Sequence, residues 1–314
     1  MYQLKKRILI TGGTGSFGKY ITRKLLNYQP EEIRILSRGE DKQYQMQKEF
    51  DSPIIRFFIG DVRDYKRLLD VTKDIDIIYH AAALKQVHMI ESHPYEAVKT
   101  NVIGTWNVRQ VAKELGVEKV ILISTDKAVK PVNAYGMTKA LSEKIFTSEG
   151  SSSSTKFAVV RYGNVIGSTG SVIPFFKKLI EEEKPLPITD TKMTRFLITL
   201  EQSINLVIYA TEQTKGGEIF IPKLPACKIV DLVEVMGGKG YKMQVIGIRP
   251  GEKIHECLIN EDEMRRAKLQ DNIFIIYPYG SYTSNFEGEF ISKNTLILNK
   301  NKLSILLKKE GWIS

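Results

Sequence analysis

Cysteine is nearly missing from this chain: Cys227 and Cys257 are the only two in 314 residues, and they have neither metal-binding nor redox spacing. Their scarcity excludes a disulfide-stapled scaffold. No metal site is expected, and two ordinary reduced thiols suit the cytoplasm. Long apolar runs are lacking too, with nothing near the roughly 18–20 residues that a membrane span requires. The start runs from Lys5-Lys6-Arg7 directly into a short apolar strand, without a signal-peptide core or cleavage site. A concentrated basic surface is also absent. The formal net charge is +10 and the pI about 9.3, yet Lys and Arg are dispersed apart from Lys5-Lys6-Arg7 and Lys308-Lys309. Without a basic stripe interleaved with aromatics, no nucleic-acid partner is expected, and small polyphosphate ligands suit the charge better. What remains is a globular composition, 42% hydrophobic and 26% charged, long enough for one large domain or two unequal ones.

The first half alternates. Short apolar runs at Arg7–Thr11, Ile33–Ser37, Ile54–Ile59, Ile75–His80, Lys119–Ser124 and Phe157–Tyr162 are separated by helix-length stretches such as Phe17–Leu26 and Ala97–Leu115. This pattern predicts an α/β fold, a doubly wound parallel sheet with helices on both faces. Gly150 and the serines 151–154 read as a mobile loop. After about Tyr162 the alternation becomes irregular and proline-punctuated, which suggests a smaller C-terminal lobe. The expected division is a dinucleotide-binding Rossmann domain at 1–165, with catalytic residues at its strand ends, and a mainly substrate-binding lobe at 166–314, from which the chain could return to the sheet. No internal repeat is visible, and Leu303–Trp312 reads as an amphipathic helix packing back on the body.

Gly12, Gly15 and Gly18, with Thr14, Ser16 and Phe17 between and beside them, follow the first strand and open the first helix. Glycine at this spacing permits a sharp turn, close approach of backbone to a pyrophosphate and tight helix–strand packing, while the helix N-terminus offers N–H groups to the anion. At the end of the second strand, where an acid would grip an NAD ribose, stand Ser37 and Arg38, followed by Lys42. Arg38 and Lys42 could pair with a 2′-phosphate, which favours NADP over NAD. Glu40 and Asp41 leave the alternative open. Asp61-Val62 would lie near the adenine, or Asp61 would cap the next helix. The small residues Ala81, Ala82 and Ala83 after the fourth strand leave room for a cofactor, with Lys85 beside them. His80 reads as a packed core residue, and Asn101 either bonds a backbone group across the core or faces solvent.

The fifth apolar run leads into Ser124-Thr125-Asp126-Lys127, then Tyr135 and Lys139, which are one helical turn apart and share a face. A lysine ammonium beneath a phenol favours the phenolate, so Tyr135 could accept a proton from a substrate hydroxyl.

With the glycine loop, Tyr135 and Lys139 in hand, the chain resembles an extended short-chain dehydrogenase/reductase acting on a nucleotide sugar. The segments Ile59–Asp64, Ser124–Ala128, Arg161–Val165, Gly170–Pro174, Ile188–Phe196, Gly217–Pro222 and Ile248–Lys253 narrow the resemblance to the inverting UDP-N-acetylglucosamine 4,6-dehydratases, the pseudaminic acid type especially. The match runs from about Arg7 to about Ile259; Val87–Glu91 and the C-terminal stretch fit loosely. Retaining sugar dehydratases carry Asp-Glu where this chain has Asp126-Lys127. The resemblance implies an NADP-dependent cycle in which Tyr135, assisted by Lys139, deprotonates the C4 hydroxyl as C4 is oxidised. Lys127 then removes the C5 hydrogen, Asp126 protonates the departing C6 hydroxyl, hydride returns to C6, and C5 is reprotonated on its other face. Thr125 would bond the C4 oxygen. Lys127 must be neutral to act as a base, so its pKa is expected to be lowered, with Lys85 as a candidate source of positive charge. The resemblance also implies that Val165 lies along the cofactor together with the residues up to Thr169. Ala83, Lys85, Asn164, Val172, Thr189, Arg195, Arg249 and Glu252 would contact the UDP-sugar, and the chain would form a homo-oligomer, dimer or hexamer. The product would enter surface-glycan or pseudaminic acid synthesis. A UDP-sugar 4-epimerase is the competing enzyme reading, for which the Asp126-Lys127 pair would be superfluous; a non-catalytic NADP-binding regulator is the other.

Overall fold

A computed structural model describes residues 5–168 and 170–313. Thr169, the last of the residues expected along the cofactor, lies outside them.

The expected alternation forms as a parallel sheet. Strand β1 (Arg7–Thr11) leads to helix α1 (Ser16–Leu26), β2 (Glu32–Ser37) to α2 (Glu40–Phe50), and β3 (Ile55–Ile59) to α3 (Tyr65–Thr72). After β4 (Ile77–His80) come two short helices, α4 (Val87–Ser92) and α5 (Pro94–Ala97), and then a π-helical stretch at Val98–Ile103 that continues into α6 (Gly104–Glu114). Strand β5 (Lys119–Thr125), helix α7 (Ala134–Thr147) and strand β6 (Lys156–Tyr162) complete the series, with a single 3-10 turn at Gly150–Ser152. Strands β1, β2, β4, β5 and β6 are rich in β-branched residues and mostly buried, as a sheet covered by helices on both sides requires, whereas the edge strand β3 is exposed at Arg56 and Ile59.

Beyond β6 the strands are mostly shorter, and the elements run β7 (Asn164–Val165), α8 (Val172–Glu181), β8 (Leu186–Ile188), β9 (Thr194–Ile198) and α9 (Leu200–Gln213). They continue with β10 (Ile219–Pro222), β11 (Ala226–Lys228), α10 (Ile229–Gly237), β12 (Met243–Val245), β13 (Cys257–Ile259) and α11 (Glu261–Met264). The chain ends through β14 (Ala267–Gln270), β15 (Ile273–Ile276), β16 (Phe290–Ile291) and α12 (Lys300–Lys309). Three of these strands rejoin the large sheet, whose order is β14-β15-β10-β6-β5-β4-β1-β2-β3. The order reverses between β1 and β4, and their carboxyl ends flank the crevice where open α/β sheets hold ligands. A second core gathers Ile173, Phe176, Leu186, Leu232 and the α12 residues Leu303 and Leu307. The terminal helix thus packs back on the body, but it stops at Lys309, and Trp312 lies against Gly167 instead.

The helix expected over Ala97–Leu115 is interrupted by the π stretch, and Asn101 sits within it. Its Oδ1 accepts from the Leu84 N–H at 2.8 Å, and its Nδ2 donates to the Leu84 carbonyl and to Thr138 Oγ1, both at 3.0 Å. The widened turn thus carries an amide that fastens the loop after β4 to α7. His80 is buried, bonded to Thr11 Oγ1 at 2.7 Å and Thr105 Oγ1 at 3.0 Å, and burial pushes its pKa down to about 3. It is a core residue.

Candidate active site

Gly12 has φ +67°, and a Cβ there would stand 2.8 Å from the Ala82 backbone; one on Gly18 would stand 2.2 Å from the Gly13 carbonyl oxygen. The loop therefore runs against the end of β4, where a side chain would collide. Thr14 lies in the loop, Gly15 caps α1 without a side-chain bond, and Ser16 and Phe17 form its first turn. A helix N-terminus beside a bare backbone cradle suits a pyrophosphate.

At the end of β2, Ser37 Oγ accepts from Gln43 Nε2 at 3.0 Å, while Arg38 and Lys42 are exposed. Arg38 lies 3.7 Å from Asp61, which Arg63 holds more tightly at 2.7 Å. Burial alone would raise the Asp61 pKa, but Arg63 and Arg38 bring it below the usual carboxylate range. The capping role considered for Asp61 falls to Asp64, whose side chain accepts from the Arg67 N–H at 3.0 Å; Asp61 instead accepts from the Arg63 N–H and closes the preceding turn. Val62 is buried against Gly104.

The chemistry gathers where β5 ends. Thr125 closes the strand, and Asp126–Ala128 form a 3-10 turn. Asn133 caps α7 by accepting from the Gly136 N–H, and this presents Tyr135 and Lys139 to the same edge. Asp126 is fully buried. Its Oδ1 accepts from the Thr125 hydroxyl and from Lys127 Nζ, each at 3.1 Å, whereas its Oδ2 has no hydrogen-bond partner. Burial pushes its pKa up, with Lys127 opposing and Glu256 reinforcing, so the carboxyl is biased toward its protonated form.

Two expectations need correction. Lys127 was expected to have a lowered pKa; burial does favour that, but the carboxylates of Asp126 and Glu256 outweigh it and hold the pKa above the ordinary lysine value. Arg195, rather than Lys85, is the principal positive charge acting against them. The second correction concerns Tyr135. Burial pushes its phenol up to about 12, and the charge favouring ionisation is Lys127. Lys139 instead donates to the Ile123 carbonyl at 2.7 Å, and burial lowers its pKa to about 8. Its ammonium is engaged with backbone in this arrangement, so it does not act as the phenol's counter-charge.

Glu256 had no role in the sequence reading, although it lies inside this group. No local pattern marks it; it becomes a site residue through the turn that joins Lys253 to β13. Lys253 donates to the Val129 carbonyl at 2.6 Å.

Of the residues expected to contact the sugar, Asn164 has its Oδ1 buried without a hydrogen-bond partner. Val172 opens α8, whereas Ala83 and Lys85 lie in the loop after β4. Thr189 Oγ1 donates to Glu252 Oε2 at 2.8 Å, and Arg249 stands 4.0 Å from the same carboxylate, so these three come together. Their segment is tied to α7 by Asn133 Nδ2, which donates to the Gly251 carbonyl at 2.7 Å. Arg195 stands apart from them: its guanidinium donates to the carbonyls of Thr194, Lys253 and Ile254. It anchors the turn that carries Glu256.

The whole arrangement gathers a buried acid, an amine and a phenol where β5 ends and α7 begins. The model of a family described as polysaccharide biosynthesis protein matches residues 8–278. The UDP-N-acetylglucosamine 4,6-dehydratase (inverting) of Campylobacter jejuni is 50% identical over 279 residues, covering 87% of this chain and 83% of that protein. The UDP-glucose 4-epimerase of Rickettsia bellii is 43% identical across 98% of this chain and 97% of its own length. Among solved structures, Pen from Bacillus thuringiensis superposes with a TM-score of 0.92 at 40% identity, covering 98% of this chain and all of that one.

Proposed function

The chain belongs to the polysaccharide biosynthesis protein family, within the extended short-chain dehydrogenase/reductases, and from that premise we propose that it is a C5-inverting UDP-N-acetylglucosamine 4,6-dehydratase, a hydro-lyase. The observation that carries this reading is the buried, partly unpartnered carboxyl of Asp126 next to an amine and a phenol. An acid that retains its proton is what expulsion of the C6 hydroxyl as water requires. In the reading, Tyr135 receives the C4 hydroxyl proton with Thr125 bonded to the same oxygen, Lys127, once its ammonium has given up a proton, takes the proton from C5, and Asp126 delivers one to the leaving C6 oxygen. The nicotinamide cofactor, when bound, supplies the oxidising and reducing equivalents. Gly12, Gly15 and Gly18 would seat its pyrophosphate, and the exposed Arg38 and Lys42 favour a 2′-phosphate, hence NADP. Asn164, Thr189, Arg249 and Glu252 would hold the UDP-sugar. The exposed apolar residues Tyr95, Trp106 and Leu141 on α5, α6 and α7 support self-association. The two buried free thiols fit a reducing cytoplasm, and the product would feed surface-glycan or pseudaminic acid synthesis.

Cofactor-loaded protein incubated with UDP-N-acetylglucosamine, without added reductant, should yield a product lighter by one water. In D₂O that product should carry deuterium at an inverted C5. A mass-neutral isomer would support the 4-epimerase reading, which the name of the Rickettsia bellii relative keeps in view. Unaltered substrate would mean a non-catalytic protein. Replacing Arg38 with alanine should cut the preference for NADP over NAD by about tenfold, the scale of one charged hydrogen bond.

A further inference from the structure

Glu256 is an acid in the site to which the proposed chemistry assigns nothing. It is 2% exposed. Its Oε1 lies 3.5 Å from Lys127 Nζ and 3.7 Å from Arg195 Nε, whereas its Oε2, 3.9 Å from Lys253 Nζ, has no hydrogen-bond partner. The backbone beneath it is fixed. The Glu256 N–H donates to Ser292 Oγ at 2.9 Å, the Ser292 N–H donates to the Glu256 carbonyl at 2.8 Å, and Ser292 Oγ is bonded to Thr194 Oγ1 at 2.7 Å. Two of its three cations are tethered elsewhere, Arg195 to three carbonyls and Lys253 to the Val129 carbonyl. Lys127, on a flexible four-carbon stem, has its hydrogen bond to Asp126 and this ion pair.

We propose that Glu256 is a positioning residue for the elimination step, holding the Lys127 amine beside Asp126 and setting the pH at which that amine becomes a free base. The proposal rests on the reading that Lys127 takes the C5 proton. The charges argue for it. When Asp126 carries the proton it is to deliver, its carboxyl no longer balances the ammonium, and Lys127, Arg195 and Lys253 are left with Glu256 as their shared anion. Without that anion three cations would crowd one buried corner, and the mobile one, Lys127, would be expelled or would lose its proton. The groups facing Lys127 are Asp126 on its own turn, Tyr135 from α7, Arg195 from β9, and Glu256 with Lys253 from the turn before β13.

Reductive methylation of Lys127, followed by mass spectrometry across pH without substrate, reads the amine directly. Removing the anion lowers the amine's pKa, so Glu256→Gln should move the onset of labelling to lower pH, with about tenfold more modification at a given pH below the midpoint. The pH profile for water release should shift the same way while the maximal rate falls. Glu256→Asp keeps the charge and shortens the reach: it should retain the wild-type midpoint with a reduced rate, and it serves should the Gln variant fail to fold. Labelling curves of Glu256→Gln and wild type that superimpose overturn the assignment even if both dehydrate the sugar; a Glu256→Asp midpoint displaced as if charge had been removed also counts against it. Wild-type protein that never releases water overturns the dehydratase reading, and the elimination role falls with it.

Discussion

Two buried charge clusters lie on neighbouring strands, and they are built in opposite ways. On β6, Arg161 is 1% exposed and saturated: Glu143 accepts from its Nε at 3.0 Å and Nη2 at 2.5 Å, Glu263 from Nη1 at 2.9 Å and Nη2 at 2.8 Å, and the Leu258 carbonyl from Nη1 at 2.8 Å. Glu143 also accepts from the Ser124 hydroxyl. At the end of β5, Asp126, Lys127 and Glu256 are joined by longer contacts, and two carboxylate oxygens have no partner. A fully bonded buried network locks sheet, α7 and α11 together. A half-bonded one stores destabilised groups at the place where a substrate could complete them. Saturation marks a cluster that holds the fold; deficiency marks one that is free to exchange protons.

The sharpest way to break this contrast is to remove the lysine. Lys127→Ala should lower dehydration by about 10³–10⁴-fold, the upper range for a general base, and cost less in urea unfolding than loss of Arg161, because Asp126 is already biased toward its protonated form and Glu256 keeps Arg195 and Lys253. A large stability loss would make the half-bonded cluster structural after all. Next comes Arg161→Met. It strands two buried carboxylates and should cost about 3–5 kcal/mol in urea unfolding, with activity lost in step with the folded fraction. A stable Arg161→Met protein that had lost only catalysis would invert the two assignments.

The contrast also explains what could be read from sequence. The glycine loop and the first six strands are local patterns, since period, turn chemistry and strand length are fixed by neighbours in the chain. Asp126, Lys127, Tyr135 and Lys139 were legible for the same reason: they lie within 14 residues of one another at a strand end and on the next helix. Glu256 is 130 positions from Asp126, and nothing in the His255-Glu256-Cys257 context distinguishes an anion facing the site from one facing solvent. The protonation states were misjudged for a related reason. The expected low pKa of Lys127 weighed burial and Lys85, whereas the neighbouring Asp126 carboxylate, reinforced by Glu256 from 129 positions away, reverses the sign. Tyr135 and Lys139 share a helix face as their spacing requires, but spacing says nothing of the Ile123 carbonyl that engages the amine. The return of β10, β14 and β15 to the sheet was equally hard to localise, because short proline-bounded strands carry little periodicity.

The smallest expected effect separates the clusters by sign. Asp126 has a folded-state pKa raised above the unfolded one, first by burial, so the native protein binds its proton more tightly than the unfolded chain. Stability drawn from that group is therefore present below the unfolded value, near pH 4, and is lost as pH rises through the folded value. Asp126→Asn mimics the protonated acid and should be more stable than wild type by about 1 kcal/mol at pH 8, the usual gain from relieving a functional site, with the gap closing near pH 3. Glu263 runs the other way. Burial would raise its pKa, but Arg161 overcomes this and lowers it, so its contribution is present above the unfolded glutamate value and is lost as pH falls through the folded one. Glu263→Gln should accordingly be less stable by about 1–3 kcal/mol at pH 8, with the deficit shrinking in acid. Urea unfolding of both variants at the two pH values tests the pair, since opposite signs are required. If Asp126→Asn destabilised the protein as Glu263→Gln does, the unpartnered oxygen of Asp126 would not be a store of strain, and the distinction between a cluster that holds and a cluster that reacts would fail at the residue it rests on most.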